Sequence, residues 1–261
     1  MNFFSPNAVT QLFNLNGLKA LVTGGNSGIG KAMAYALGLS GAQLLLVARR
    51  EPELEKVTKE MHSYGIQASW IATDLAVFDN IKMVAKKAET ELGKIDIIIN
   101  AAGVNLRQKF TDVTSESWDM QLSLHLKTPF FLTQLMAPSM KASGWGRIIN
   151  IASLQSYRAF ADSAPYGAAK GGIVQLTRAI AQEWSRYGIT CNAIGPGFFP
   201  TNLTSKVFSD PSLVTHNAEQ TCIGRNGKLE DLYGVTIFLC SKASDYITGQ
   251  TIMVDGGFTA K

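Results

Sequence analysis

The sequence contains few cysteines, and none of them is placed for a metal site or a disulfide framework. Only three occur in 261 residues, Cys191, Cys222 and Cys240, and no two form a Cys-x-x-Cys pair. Structural zinc sites and small disulfide-rich folds both need closely spaced cysteines. We therefore expect no metal site, and the pattern fits a reducing compartment.

Long apolar segments are also absent from the sequence. No uninterrupted apolar run approaches the roughly 18 residues needed to cross a bilayer. Residues 1–11 lack the basic start and apolar centre of a signal peptide. We expect a cytoplasmic protein that has no membrane partner.

Charge is sparse and balanced. Charged residues make up 17% of the chain, the net charge is +4, and the basic residues are scattered. A nucleic-acid surface concentrates Lys and Arg on one face. An ordinary solvated surface explains the small net charge at least as well as an acidic partner does, so we expect no nucleic-acid partner. The hydrophobic share of 46% is typical of a globular domain.

Short apolar runs alternate with longer amphipathic stretches along the chain. Runs that are apolar throughout, bounded by Gly or polar residues, predict buried strands: Leu18–Thr23, Gln43–Val47, Ala68–Thr73, Ile95–Asn100, Arg147–Ile151, Thr190–Ile194 and Thr251–Val254. The stretches between them predict helices: Gly28–Ser40, Glu51–Ser63, Val77–Leu92, Ser115–Ser143, Ser163–Tyr187 and Leu229–Ser241.

This alternation predicts an α/β fold, a doubly wound parallel sheet of about seven strands with helices on both faces. No linker, charge block or repeat divides the chain, so we expect one domain over residues 1–261. Residues 201–228 interrupt the alternation before the last strand. We expect this segment to be a substrate-binding lid within the domain.

A glycine-rich turn joins the first predicted strand to the first predicted helix. It reads Thr23-Gly24-Gly25-Asn26-Ser27-Gly28-Ile29-Gly30. Such a turn brings backbone amides and a helix N-terminus close to a dinucleotide pyrophosphate. The spacing differs from G-x-G-x-x-G, and a purely structural turn is the alternative.

The second predicted strand ends in Ala48-Arg49-Arg50. An acidic residue here would bind the ribose 2′-hydroxyl of NAD, whereas a guanidinium suits the 2′-phosphate of NADP. We therefore favour NADP(H) over NAD(H), with Arg49 the first choice for the contact and Arg50 the second. A solvated helix start is the alternative, because Arg50 also precedes the next helix.

Polar and small residues follow the third and fourth strands. Asp74, with Leu75 beside it, could accept a hydrogen bond from the adenine amino group. After the fourth strand, the small residues Asn100, Ala101 and Gly103 would let the chain pass along the adenosine ribose. Each signal is weak alone. Together they lie at carboxyl ends of successive parallel strands, where such folds bind ligands.

Three further residues form a candidate catalytic group. Ser153 follows the fifth strand, and Tyr166 and Lys170 stand at i and i+4 on a predicted helix, hence on one face. A neighbouring ammonium should lower the pKa of the phenol, so that it exchanges a proton with an alcohol or ketone. The Ser153 hydroxyl could hold the same oxygen.

These residues together resemble the short-chain dehydrogenase/reductase family, whose members have a single Rossmann-like domain. The resemblance spans essentially the whole chain and adds Pro196-Gly197, Thr201 and Asp255-Gly256-Gly257. It implies that Lys170 also contacts the nicotinamide ribose. It further implies that Pro196, Gly197, Phe199 and Thr201 line the nicotinamide, and that the protein is a homotetramer.

One position departs from the family pattern. The run Trp118-Asp119-Met120-Gln121-Leu122-Ser123-Leu124-His125-Leu126 places His125 where the family has a relay Asn. In the family that Asn helps hold a water chain to the catalytic Lys. His125 could keep the relay and make it pH-sensitive, weaken it, or serve only as a packed core histidine.

Three stretches look closest to the gluconate and deoxygluconate dehydrogenase branch: Phe3-Phe4-Ser5, Gly103-Val104-Asn105-Leu106-Arg107 and Asn192-Ala193-Ile194-Gly195-Pro196-Gly197-Phe198-Phe199. That branch acts on sugar acids or polyols, and Arg107 could pair with a substrate carboxylate. An ordinary surface Arg is the alternative.

We therefore expect an NADP(H)-dependent oxidoreductase that interconverts a secondary alcohol and a ketone. Two alternatives are a 3-oxoacyl carrier-protein reductase and a cofactor-binding protein with little or no turnover.

Overall fold

The computed structural model describes residues 7–261, and the Phe3-Phe4-Ser5 stretch lies outside this range. Its strands form one seven-stranded sheet: β1 Lys19–Thr23, β2 Gln43–Ala48, β3 Ala68–Ala72, β4 Ile97–Asn100, β5 Gly146–Ile151, β6 Ile189–Pro196 and β7 Thr251–Val254. Every pair of neighbouring strands is parallel, in the order β3-β2-β1-β4-β5-β6-β7. The predicted doubly wound sheet is confirmed.

The α-helices are α1 Ala8–Leu12, α2 Gly28–Leu39, α3 Glu51–Ser63, α4 Phe78–Leu92, α5 Ser115–Leu122, α6 Thr128–Ser143, α7 Ala164–Trp184, α8 Ser205–Phe208, α9 Pro211–Glu219 and α10 Tyr233–Cys240. Residues 201–228, the predicted lid, contain α8 and α9 after a 3₁₀ turn at Asn202–Thr204. No helix within residues 7–261 has both the length and the apolar character to span a membrane.

Alternate residues of each strand face opposite sides of the sheet. In β1, Ala20 and Val22 belong to the core shared with α2, α3 and α10, whereas Leu21 belongs to the core shared with α4, α6 and α7. Because both faces are covered, all three side chains are fully buried. This two-sided core fixes the strand ends in space.

The strand order reverses between β1 and β4, which is where a doubly wound sheet forms a ligand cleft. Thr23 pairs in register with Asn100, and Asn100 pairs with Asn150 of β5. The segments that leave these three strands therefore start side by side at one edge of the sheet.

The predicted single helix Ser115–Ser143 is divided by a π-helical turn, Ser123–Lys127, between α5 and α6. Pro129 carries no N–H, so a continuous α-helix would lose its bond to the His125 carbonyl here. The Thr128 N–H instead bonds five residues back to Ser123 O. His125 therefore lies in the wider turn.

Candidate active site

At several positions of the turn between β1 and α2, there is room for no residue larger than glycine. Gly24 and Gly28 have positive φ angles of 69° and 54°. A Cβ at Gly30 would lie 2.3 Å from Gly24 O, and one at Gly24 would lie 2.9 Å from the Ala101 backbone. The turn is thus a bare backbone surface packed against the chain that leaves β4.

This turn fits the pyrophosphate of a dinucleotide. It opens α2, a helix of 12 residues, and the N-cap residue Ser27 makes no side-chain capping bond. The first-turn amides at Gly28, Ile29 and Gly30 have no partner earlier in the helix, which is the arrangement that binds anions. Asn26 is buried within the turn.

Two arginines stand beside the turn on the side of β2. Arg50 donates to Ser27 Oγ at 3.4 Å and pairs with Glu53 at 3.0 Å. Arg49 lies 3.9 Å from Asp74, the predicted adenine partner. Both guanidiniums therefore reach the cleft edge, and Arg50 is the one in contact with the glycine turn.

The Thr23 side chain forms its hydrogen bonds to the chain after β4 and not within the glycine turn. Its hydroxyl accepts from the amides of Ala101 and Ala102 at 3.0 Å each. The Asn100 side chain likewise points along the sheet and donates to Asn150 Oδ1 at 2.8 Å. These two residues fix the chain that leaves β4 against the glycine turn.

Asp74 and Leu75 shape the neighbouring wall. Asp74 Oδ1 accepts from Ala76 N at 2.9 Å, which leaves its second oxygen directed to Arg49. Leu75 is buried, and its carbonyl accepts from Thr128 Oγ1 at 2.7 Å. The third-strand end is thereby tied to the start of α6.

The chain after β6 completes the cleft from the other side. A Cβ at Gly28 would lie 3.1 Å from the Thr201 methyl, so residue 201 stands against the glycine turn. A Cβ at Gly197 would lie 2.9 Å from Asp255 Cα. Pro196 ends β6, while the Phe199 ring is buried in the core. The Phe199 carbonyl accepts from Thr204 Oγ1 at 2.5 Å, which ties it to the start of residues 201–228.

Ser153 begins a short 3₁₀ turn, Leu154–Ser156, directly after β5. Its hydroxyl oxygen accepts from Gln155 N at 3.1 Å. Because a hydroxyl has a single proton, this bond leaves the O–H free to donate elsewhere. Ser153 lies close enough to Tyr166 for its hydroxyl to lower the pKa of that phenol by hydrogen bonding.

Tyr166 and Lys170 lie in the buried part of α7. Lys170 Nζ is 5.5 Å from the centroid of the Tyr166 ring and donates to Ile151 O at 2.5 Å. Burial lowers the pKa of Lys170 to about 7. Ser153, Tyr166 and Lys170 are thus brought together as predicted from the sequence.

The structure reverses the expected direction of the Tyr166 pKa shift. Burial raises this pKa, and the Ser153 hydrogen bond and the charge of Arg107 offset only part of the rise. The reason is that removing a phenolate from water costs more than these partners return. Tyr166 is therefore held as a neutral phenol.

His125 is buried and packs edge-to-face on Tyr166, with ring centroids 5.2 Å apart. Its Nε2 lies 2.7 Å from Val104 O, which fits a donated Nε2–H. Burial, followed by the charge of Lys170, lowers its pKa to about 3. The imidazole is therefore neutral near pH 7, and its contacts with Val104 and Tyr166 are those of a packed, hydrogen-bonded histidine.

The loop after β4 is fitted to His125. A Cβ at Gly103 would lie 2.5 Å from His125 Cε1, so glycine is required at this contact. Further along, Arg107 is exposed and has a φ of 47°, an unusual value for a residue with a side chain. The charge of Arg107 slightly lowers the pKa of Tyr166.

Sequence reasoning did not single out Ser156. Its hydroxyl accepts from Ser153 N at 3.2 Å and donates to Lys170 O at 2.6 Å. A Ser-x-x-Ser pattern at a strand end is a signal for such reciprocal capping.

Known proteins resemble this chain over nearly its whole length. A family model described as Enoyl-(Acyl carrier protein) reductase matches residues 24–259. Gluconate 5-dehydrogenase of Gluconobacter oxydans is 36% identical, over 95% of this chain and 97% of that protein. The 2-dehydro-3-deoxy-D-gluconate 5-dehydrogenase of Escherichia coli is also 36% identical, over 97% of this chain and 100% of that protein.

A crystal structure of a gluconate 5-dehydrogenase from Burkholderia cenocepacia, in complex with NADP and tartrate, has a TM-score of 0.92. It is 34% identical, and the match covers 97% of this chain and 99% of that one.

The fold and these similarities define an oxidoreductase that acts on CH–OH groups with NAD(P). The chain belongs to the short-chain dehydrogenase/reductase family, and its relatives include the gluconate and deoxygluconate dehydrogenases that the sequence resembles.

Proposed function

We propose that this protein interconverts a ketone and a secondary alcohol of a sugar acid with NADP(H), using Ser153, Tyr166 and Lys170. The observation that carries the proposal is that Tyr166 and Lys170 are buried together, with Lys170 Nζ 5.5 Å from the Tyr166 ring centroid and Ser153 at the end of the adjacent β5. The chain after β4 packs against the glycine turn at Ala101 and against His125 at Gly103, and His125 packs on Tyr166. Proton exchange and a dinucleotide site would thus share one cleft.

The residues around the cleft fit a nicotinamide dinucleotide. The turn of Gly24, Gly28 and Gly30 would hold the pyrophosphate with Asn26, Ser27 and Ile29, and Asp74, Leu75, Asn100, Ala101 and Gly103 would border the adenosine. Lys170, with the chain at Pro196, Gly197, Phe199 and Thr201, would border the nicotinamide ribose and ring. When bound, this group supplies or accepts the hydride.

In ketone reduction, Tyr166 would donate its proton to the substrate oxygen as negative charge develops there. Its raised pKa keeps the proton in place at neutral pH. Ser153 would turn its single O–H from Tyr166 to the same substrate oxygen, because its acceptor side is already bonded to Gln155 N. Lys170 would support the phenolate that remains when its amine is protonated, since a nearby ammonium favours that anion.

The preference for NADP(H) rests on the two arginines. Arg50 touches the glycine turn, and Arg49 reaches the third-strand end. No carboxylate occupies the end of β2, where NAD-specific sites place one. A doubly charged 2′-phosphate would gain charge-assisted hydrogen bonds from both side chains.

The substrate class rests on Arg107 and on the relatives. Arg107 is exposed on the loop after β4 and its charge acts on Tyr166, so a substrate carboxylate near Tyr166 would be complemented by this guanidinium. Two relatives in Escherichia coli are named 2-dehydro-3-deoxy-D-gluconate 5-dehydrogenase and 5-keto-D-gluconate 5-reductase. Both names describe sugar acids with a ketone or hydroxyl at carbon 5.

We also propose a lid, an oligomeric state, a location and a role for His125. Residues 201–228 form a lid that begins at the glycine turn, where Thr201 meets Gly28. The family resemblance supports a homotetramer and a cytoplasmic location. His125 supports the site by holding Val104 and the Tyr166 ring rather than by carrying a proton.

The test is steady-state oxidation of NADPH and NADH by purified protein with 5-keto-D-gluconate, simple ketones and 3-oxoacyl thioesters. We expect turnover with the keto acid and NADPH, and a loss of about 10²- to 10⁴-fold in kcat for Tyr166→Phe. The NADPH Kd of that variant should stay within about threefold of wild type, because no phosphate contact changes.

The same panel separates the alternatives. Turnover confined to the thioesters would identify an acyl-carrier reductase instead. Tight NADPH binding without turnover on any substrate would favour a cofactor-binding protein.

A further inference from the structure

The side chain of Ser156 joins two parts of the catalytic group that come from different elements. Its Oγ accepts from the backbone N–H of Ser153, after β5, and donates to the backbone carbonyl of Lys170, in α7. At 3.2 Å and 2.6 Å, both contacts have ordinary hydrogen-bond lengths. The Lys170 carbonyl has a second lone pair for this contact beside its helical bond.

The orientation of the Ser153 hydroxyl depends on the same short turn. Ser153 Oγ accepts from Gln155 N at 3.1 Å, so its O–H direction follows the position of residues 154–156. Lys170 Nζ donates to Ile151 O at 2.5 Å, two residues before Ser153. Lys170 is therefore bonded at two points to this part of the chain. Its backbone carbonyl accepts from Ser156 in the loop after β5, and its Nζ donates to Ile151 at the end of β5.

We propose that Ser156 is a positioning residue, whose hydroxyl holds the Ser153 turn at a fixed distance from Lys170 and Tyr166. It touches no reacting atom and acts through Ser153. The inference rests on the proposed function, because it assigns Ser156 to that reaction. Its loss should matter because a displacement of about 1 Å in a catalytic group can cost up to about 10²-fold in rate.

The primary test compares Ser156→Ala with Ser156→Thr and Ser153→Ala in the NADPH-loaded enzyme. We expect Ser156→Ala to lower kcat about tenfold, with the KM for the keto acid and the Kd for NADPH within about twofold of wild type. Ser156→Thr keeps the hydroxyl and should restore kcat. In the Ser153→Ala background, Ser156→Ala should cause no further loss, since its effect passes through Ser153.

A second readout does not need turnover. The ionisation of Tyr166 is followed as the difference in tyrosinate absorbance between each protein and the same protein carrying Tyr166→Phe. Ser156→Ala should raise the Tyr166 pKa in the direction that Ser153→Ala does, because the Ser153 hydrogen bond lowers that pKa. If Ser156→Ala does not fold, Ser156→Cys, a weaker hydrogen-bonding group of similar size, takes its place.

Ser244→Ala is the matched control. Ser244 is buried and its hydroxyl donates to Leu239 O at 3.1 Å, so the variant loses a comparable bond that touches neither Ser153 nor Lys170. We expect reduced stability with unchanged kcat and Tyr166 pKa. The proposal is overturned if Ser156→Ala behaves like Ser244→Ala. If wild type turns over none of the substrates, the proposed function fails, and the Tyr166 titration still decides the role of Ser156.

Discussion

Replacing Lys170 with Met should stabilise the protein at neutral and acidic pH. Burial lowers the Lys170 pKa from 10.5 to about 7, so the charged form is disfavoured in the folded state. At about 1.4 kcal/mol per pKa unit, that shift corresponds to about 5 kcal/mol. Lys170→Met also removes the hydrogen bond from Nζ to Ile151 O, which costs about 1–2 kcal/mol. A net gain of a few kcal/mol, roughly 3, is therefore expected for Lys170→Met at and below pH 7.

The pH dependence distinguishes this effect from simple packing. Between pH 7 and pH 10.5 the unfolded chain keeps a proton on Lys170 that the folded chain has released. Unfolding then takes up a proton, so wild-type stability rises with pH across this window. The advantage of Lys170→Met should be constant below pH 7 and should shrink as the pH rises from 7 towards 10.5.

The assay is urea unfolding of wild type and Lys170→Met at pH 6, 7, 8 and 9, at one protein concentration. Tyr166→Phe is the control, because it alters the neighbouring ring and keeps the ammonium. Its difference from wild type should not change between pH 6 and pH 8. A Lys170→Met difference that is equally constant from pH 6 to pH 9 would refute the lowered Lys170 pKa.

Three further variants test other contacts. Gly30→Ala should weaken NADPH binding at least about tenfold in a fluorescence titration, because its Cβ would lie 2.3 Å from a backbone oxygen. Gly234→Ala is the control and should bind NADPH normally, because a Cβ at Gly234 would have no atom within 4 Å. Arg50→Glu should raise the NADPH Kd by about 10- to 100-fold and leave the NADH Kd nearly unchanged, and equal losses for both would contradict a 2′-phosphate contact. Gly103→Ala should cost about 1–3 kcal/mol in chemical unfolding. Combining it with His125→Asn should recover part of that loss, and purely additive losses would argue against the fitted contact.

The sheet could be predicted from the sequence because each strand is short and apolar throughout. β1 and β2 alternate side chains between two cores, and that two-sided burial produces the continuous apolar runs. The glycine turn could also be predicted from the sequence. Its backbone approaches Ala101 too closely for a side chain, so glycines are needed there. Both features are visible as local patterns, an apolar run and a cluster of glycines, although the contacts that require them come from distant parts of the chain.

The break at His125 could not be predicted from hydrophobic periodicity. Residues 115–143 keep a helical pattern throughout, and the π turn depends on Pro129 together with the bond from Thr128 Oγ1 to Leu75 O. The direction of the Tyr166 pKa shift was missed because the sequence gives spacing and not burial. Ser156 was missed because its partners, Ser153 N and Lys170 O, belong to separate elements.

The most direct test of the central claim is isotope transfer. The protein is incubated with 5-keto-D-gluconate and NADPH that carries deuterium at the transferable position of C4, and the product is examined by mass spectrometry and NMR. We predict one deuterium at the new alcohol carbon, and a rate of label transfer at least about 100-fold lower when Tyr166→Phe replaces wild type. An unlabelled product, or label transferred equally by the variant, would contradict hydride transfer at the Ser153–Tyr166–Lys170 site.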